Sequence, residues 1–590
     1  MRQFLKFMFA SMLGFILAGV VIILIIFSIV TVAVSSLTKD KDLSVKDKSV
    51  LEITLDHPIT ERTSSDPFRN FNFRDIASSI DLGLNDIIKG IAHAKQDNHI
   101  KGILIHPAAF HTGLATLEEI RNALIDFKKS GKFIYAYADD YTQGSYYLSS
   151  VADKIFMNPQ GELELKGFTA NIPFFKGTLE KLGIEPEVIR HGKYKSAIEP
   201  FILDKMSPEN REQTRKYVGD LWEHYLASIA ESRNVGKDEL QKDADELLIQ
   251  TPEDAVTKKL VDKLAYYDEL QSDLRTKIGI GEKEKISFVE LKKYDHSFSK
   301  TESYSLKKVA VIYAVGEINT GKGDEESIGS EKMAETIRTA RLDTSIRAIV
   351  LRVNSPGGSA LASEIIWREM NLARKAKPVV VSMGDVAASG GYYISCAADT
   401  IVAEPNTITG SIGVFGLLMN TKKLFNDKLG ITFDTVKTAH YSDLGNSTRP
   451  LEPAERNVIQ KEVERIYATF ITRVGEGRHL DTAIVDGIGQ GRVWSGTDAK
   501  RLGLVDVLGG VNDAIAIAAR MAKLEKYRVV ALPEQKENFL SKFIENLSEN
   551  TQTSMIRKEL GESYDYYKQL SRLRNMSGIR TELIYSFDLK

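Results

Sequence analysis

Three short stretches carry the residue types of acyl-transfer chemistry. Residues 407–416 read TITGSIGVFG, with Ser411 between two glycines after a β-branched run. A serine placed there is open to close backbone approach and suits a nucleophile, provided that something takes its proton. Residues 354–359 read NSPGGS. Gly357 and Gly358 let the backbone turn its N–H groups into a site, as an oxyanion hole requires. Residues 193–200 read KYKSAIEP. No histidine lies near Ser411, and after residue 300 only His440 and His479 occur. The amine of Lys195 is a base of another kind. A free lysine titrates near 10.4, and burial can lower that by about 3–5 pH units. The plainer alternative is a glycine-flanked turn serine and a surface lysine.

The chain repeats itself, and the repeat relates these stretches to one another. IKGILIHPAAFHTG (100–113) parallels IRAIVLRVNSPGGS (346–359), and QGSYYLSSVADKIFMNP (143–159) parallels SGGYYISCAADTIVAEP (389–405). Asp153 and Asp399 stand 246 positions apart, as do Ile100 and Ile346, and KLGIEPEVIRHGKYKS (181–196) is matched by KLGITFDTVKTAHYSD (428–443) at an offset of 247. One domain of roughly 200–250 residues is duplicated in tandem, a fused pseudo-dimer. The copies differ where the chemistry lies. Gly357 and Gly358 align with His111 and Thr112, Ser411 aligns with Leu165, and Lys195 aligns with Ser442. The first copy keeps the lysine and the second keeps the serine and the glycine loop. A site shared between the halves is expected, with Lys195 taking the proton of Ser411.

The elements that must position these residues alternate strand and helix. VAVIYAV (309–315), AIVLRV (348–353) and PVVVSM (378–383) are short apolar runs of buried strands. SALASEIIWREMNLARKAK between the last two has helical spacing. Stretches 207–234 and 452–477 are long amphipathic helices, one per copy, each with a proline near its start. The fold class is α/β with largely parallel pairing. The expected divisions are 1–45, 46–299, 300–530 and a polar tail 531–590 without legible chemistry, with 281–307 as a Lys-rich connector.

Of 590 residues, 43% are hydrophobic and 27% charged, at a formal net charge of −2. No basic field calls for nucleic acid. A single cysteine, Cys396, excludes an intrachain disulfide, and no Cys/His cluster has metal spacing. Residues 7–38 are uncharged and follow Arg2 and Lys6. About 20 apolar residues span a bilayer, so an uncleaved anchor in membrane lipid is expected, with a cytoplasmic N-terminus and the remainder across the membrane.

GDVAASGGYYIS, NTITGSIGV, HGKYKSAIEPF and GRVWSGTDAKRLGLVD resemble the signal peptide peptidase A (protease IV) family in its long, two-domain form, over roughly residues 45–525. The resemblance implies a tandem crotonase-like fold related to the caseinolytic protease subunit. It also implies a membrane-anchored serine endopeptidase of the bacterial inner membrane, cutting remnant signal peptides, with no cofactor or metal. The implied dyad is Ser411 with Lys195, with Gly358 as oxyanion donor and Gly357 beside it. The long form implies a homo-oligomer, a tetramer.

Rival readings remain. Ser389, in AASGG, occupies the nucleophile position of the caseinolytic protease subunit and opens a helix after a strand. Its other reading is a helix cap. A triad through His440 or His479 is a further option. Cys396 reads as a small buried residue, because its partner in the first copy is Ser150. Lys193 faces away from Lys195 if that segment is extended, and Tyr194, matched by Tyr441, reads as core. A crotonase-type acyl-CoA enzyme would use the same glycine loop but needs no anchor. A dead membrane scaffold would have no reason to keep Ser411, Lys195 and SPGG.

Overall fold

The computed structural model describes residues 45–63, 82–108, 112–298, 305–324, 326–535 and 578–583, together with residues 3–4, 6–19, 21, 564 and 567. The first half contributes strands β1 (Ser49–Leu55), β2 (Ile100–Pro107), β3 (Phe133–Ala138), β4 (Lys154–Met157), β5 (Glu185–His191), β6 (Lys263–Leu264) and β7 (Phe288–Glu290). All but β5 form one sheet, in the order β6-β4-β3-β2-β1-β7, with every pair parallel. Ile103, Leu104 and Ile105 on β2 are all fully buried, as expected of a strand covered on both faces.

The second half contributes β8 (Lys308–Val315), β9 (Glu317–Asn319), β10 (Ser327–Gly329), β11 (Ile346–Ser355), β12 (Gly357–Ser359), β13 (Val379–Ala388), β14 (Thr400–Ala403), β15 (Ile408–Gly410), β16 (Val414–Asn420), β17 (Val493–Ser495), β18 (Val507–Leu508), β19 (Arg528–Leu532) and β20 (Gly578–Glu582). Its main sheet runs β17-β15-β13-β11-β8-β19, with β14 beside β13 and β18 beside β14. The predicted long helices are Pro208–Arg233 and Pro453–Arg478, each with proline in its first turn. The fold is α/β and duplicated.

A third sheet, β10-β9-β12-β20-β16-β5, is built from both halves. β5 of the first half lies antiparallel to β16 of the second over seven residue pairs, from His191↔Val414 to Glu185↔Asn420. A buried charge cluster also ties the halves. Arg352 is fully buried between Glu61 (2.8 Å) and Glu119 (2.5 Å) of the first half. Asp385 accepts both the N–H (2.9 Å) and the hydroxyl (2.6 Å) of Thr116. Removing one member of such a group leaves charge without compensation in a dry seam, so the halves have one relative placement.

One expectation about an irregular segment is corrected. Within the supposed connector 281–307, β7 pairs with β1 and the helix Leu291–Phe298 follows. Val289, Leu291 and Tyr294 are buried there, and that burial outweighs the polar, Lys-rich composition. The tail, polar and without legible chemistry, contributes β20, which inserts between β12 and β16.

Among the described residues no helix is long and apolar enough to cross a membrane. Residues 6–19 are helical and exposed, with Phe7 and Phe15 among their bare apolar side chains. Residues 22–38 of the expected anchor lie outside the described residues.

Candidate active site

Neighbouring parallel strands set the serines. Ala388, the last residue of β13, lies opposite Gly410, the last of β15. Ser389 and Ser411 come next, so they stand side by side beyond the carboxyl ends of the strands, where open α/β sheets carry their sites. The Ser389 N–H donates to Gly410 O at 2.8 Å, and the Ser411 N–H to Arg492 O at 2.7 Å. Both residues have positive φ, +55° for Ser389 and +50° for Ser411. Side chains adopt that region only where the surroundings impose it. At Ser389 the turn leads straight from a strand into the helix Gly390–Ser395, and its hydroxyl makes no capping bond. The expected capping role is therefore not made by this side chain.

The β5–β16 ladder brings the lysine. β5 ends four residues before Lys195 and β16 begins three residues after Ser411, with His191 opposite Val414. Lys195 immediately precedes the tight turn Ser196–Ile198. The Tyr194 N–H donates to Gln490 O at 2.9 Å. Gln213 braces the turn: its Nε2 donates to Tyr194 O (3.0 Å) and Ser196 Oγ (2.8 Å), and its Oε1 accepts from the Val493 N–H (3.1 Å). Gly491 has φ +82°, and a β-carbon there would sit 2.6 Å from Lys195 N and Cβ, so glycine is required for the lysine to seat.

The lysine Nζ sits between the two serines. It donates to Ser389 Oγ at 2.8 Å, Ser411 Oγ at 3.0 Å and Ser411 O at 3.2 Å. Lys195 is 1% exposed. Burial pulls its amine down to about 7, against the opposing pull of the Glu582 carboxylate. An amine poised there is suited to general base work near neutral pH.

The glycine loop lies against Ser389. Gly357 has φ +101° and Gly358 φ +154°; a β-carbon on Gly357 would meet Gly390 N at 2.7 Å and Thr581 O at 2.2 Å. Gly390 opens a helix, where backbone N–H groups lack intrahelical partners. The Gly357 N–H donates to Ser355 Oγ at 3.2 Å. The segment around Ser411 packs instead on residues 490–494 and on Lys195, whose Cδ would lie 3.2 Å from a β-carbon on Gly413.

The remaining candidates stand apart. Lys193, Ser442 and His479 are exposed, and His479 is the left-handed residue that ends the helix Pro453–Arg478. His440 is exposed and bonded to Glu452 at 3.0 Å. Tyr194 is half-buried beneath the Arg492 guanidinium (4.6 Å), not in the core as expected. Cys396 is buried, and burial pushes its thiol up to about 12, which makes it inert. His111, the first-copy counterpart of Gly357, lies outside the described residues. Among the described residues no group of His, Cys, Asp or Glu is arranged to hold a metal ion. Sequence reasoning missed Gln213 and the tail strand. Gly491 was within reach, because it precedes Arg492 in GQGRVWSG.

Comparison with known proteins matches the profile of peptidase family S49 to residues 126–281 and again to 371–525, one stretch per copy. The Clp protease profile matches residues 302–408. The chain is 41% identical over 456 residues to Protease 4 of Salmonella typhi, covering 76% of this chain and 73% of that one. It is 35% identical over 491 residues to Protease 4 of Haemophilus influenzae, covering 80% and 79%. It is 34% identical over 501 residues to the chloroplastic serine protease SPPA of Arabidopsis thaliana, covering 83% and 72%.

Proposed function

The chain belongs to peptidase family S49 and is a serine protease, and from that premise we propose that it cuts peptides with a nucleophile–lysine pair assembled across its two halves. The reading rests on one observation: a fully buried lysine amine from the first half lies within hydrogen-bond distance of two serine hydroxyls of the second. Ser389 is the nucleophile in this reading, and Ser411 orients the amine. This reverses the assignment expected from TGSIG. Three features support the reversal: the strained strand-to-helix turn at Ser389, the glycine loop packed on Gly390, and the seating of Ser411 among residues 490–494.

The uncharged Lys195 takes the Ser389 proton as Oγ attacks the peptide carbonyl. The developing oxyanion is held by the backbone N–H groups of Gly358 and Gly390. The resulting ammonium then gives its proton to the leaving amine, and the acyl-enzyme is hydrolysed by a water that the same lysine activates. kcat/KM for a short peptide is expected to climb with pH through a limb near 7 and then level, because the working form of Lys195 is the uncharged one. A limb set by ordinary lysine, near 10.4, would refute the buried base.

The substrates of this reading are signal peptides left in or near a bilayer, with residues 7–38 as anchor and the catalytic halves outside the cytoplasm. The apolar run at 7–38 supports it. Removing residues 1–45 is expected to leave cleavage of a short soluble peptide intact while slowing clearance of a signal peptide embedded in vesicles. Equal rates on the embedded peptide would remove the anchor from the function.

A further inference from the structure

The tail strand occupies the place where a substrate backbone would lie. β20 runs antiparallel to β12, with Glu582 opposite Gly357, Thr581 opposite Gly358 and Arg580 opposite Ser359. On its other edge it runs antiparallel to β16, with Arg580 opposite Phe415 and Ile579 opposite Gly416. Without it, β12 and β16 would face each other across a slot one strand wide, walled on one side by the glycine loop. Peptidases commonly hold extended peptides by adding them as a strand to such an edge, main-chain bonds giving affinity.

The occupant is well fastened. The Leu583 N–H donates to Pro356 O at 2.7 Å, and the Thr581 hydroxyl donates to Gly358 O at 3.3 Å. Arg580 pairs with Glu317 of β9 and with Glu582 along its own strand. Thr581, Glu582 and Leu583 are all buried.

We propose that residues 578–583 form an autoinhibitory strap, a segment of the same chain that fills the peptide slot between β12 and β16 and must leave before a substrate can enter. The proposal rests on the peptidase reading given above. The strap also reaches the base: the Glu582 carboxylate favours the charged form of Lys195, which cannot take a proton from serine. In that respect the segment differs from a substrate, which has to leave the amine neutral. The strap therefore blocks the slot and disfavours the reactive protonation state together.

The test compares, in detergent, the full chain, its Arg580→Glu variant and a chain ending at residue 577, using a short fluorogenic peptide and a fluorophosphonate label. The substitution sets a third carboxylate against Glu317 and Glu582. If the strap holds the slot about nine-tenths of the time, both changes raise kcat/KM about tenfold. A synthetic peptide of residues 578–583 then inhibits the shortened chain by raising KM at constant kcat, and inhibits the intact chain less. A Ser359→Cys/Arg580→Cys pair in the intact chain guards against misfolding of the shortened one. Oxidation is expected to lock the strap and lower turnover, and reductant to restore it. Unchanged kcat/KM in Arg580→Glu with no effect of oxidation on the cysteine pair overturns the strap. So does a loss of activity in Arg580→Glu at unchanged melting temperature, which would make the strand part of the working site. Absence of both cleavage and labelling in every form overturns the peptidase reading instead.

Discussion

Ser389→Ala is expected to lower peptide turnover by on the order of 10⁴-fold or more and to abolish fluorophosphonate labelling, with the melting temperature little changed. The side chain is buried, and the hydrogen bond it would lose is the one from Lys195 at 2.8 Å. The fold does not depend on that hydroxyl, because the positive-φ turn is held by the backbone bond from Ser389 N to Gly410 O. Ser411→Ala is expected to behave differently. It removes a second acceptor from the lysine, at 3.0 Å, but leaves the nucleophile, so labelling persists and turnover falls less. Its acid limb should also move, because the amine then has one fewer group orienting it. If Ser411→Ala abolishes labelling while Ser389→Ala keeps it, the two roles return to the order expected from TGSIG.

Lys195→Met is expected to lower turnover by about 10²–10⁴-fold, the usual contribution of a positioned base, and to make the protein more stable near neutral pH. In the native chain this lysine gives up its proton near 7, whereas an unfolded lysine holds its proton to about 10.4. Between those values the unfolded state binds more protons, so native stability rises with pH, by about 1.4 kcal/mol per pH unit from this group. Methionine fills a similar volume and has no such slope. The advantage of the variant should therefore be greatest at pH 7 and below, and shrink toward pH 9. The serine hydroxyls that lose their donor offset part of the gain. Urea titrations of both proteins at pH 7, 8 and 9 measure the slope. Parallel stabilities would show that the native amine stays charged, and an active Lys195→Met would return the base role to a histidine such as His440.

Much of this was legible in the residues. The apolar runs of β8, β11 and β13 can sit only in a covered sheet, and the offset of 246 revealed the duplication without any structure. The asymmetry between copies pointed to Lys195, because a residue kept on one side and replaced by Ser442 on the other marks where the copies have divided their work. The choice between Ser389 and Ser411 was not legible, because both adjoin a glycine, Gly390 after the one and Gly410 before the other, and both follow a strand. What separates them is the register Ala388↔Gly410 and the packing of Gly357 on Gly390, which are tertiary facts. β20 was hidden for the same reason. GIRTE carries no alternation that marks it as buried, and its place in the sheet comes from the two edges that flank it.

The pairing of β5 with β16 also sets an order in time. Chains fold as they are made, amino-terminal parts first. β5 and Lys195 belong to the first part, yet the strand that pairs with β5 is not complete until residue 420. Through that interval β5 presents an open edge, a feature prone to unwanted pairing, and the lysine stays hydrated and protonated, far from the value burial gives it. On the proposed reading of Lys195, a nascent or prematurely ended chain therefore carries no competent base, and hydrolytic capacity arrives only with the second half. The arrangement amounts to a latency period built into biogenesis.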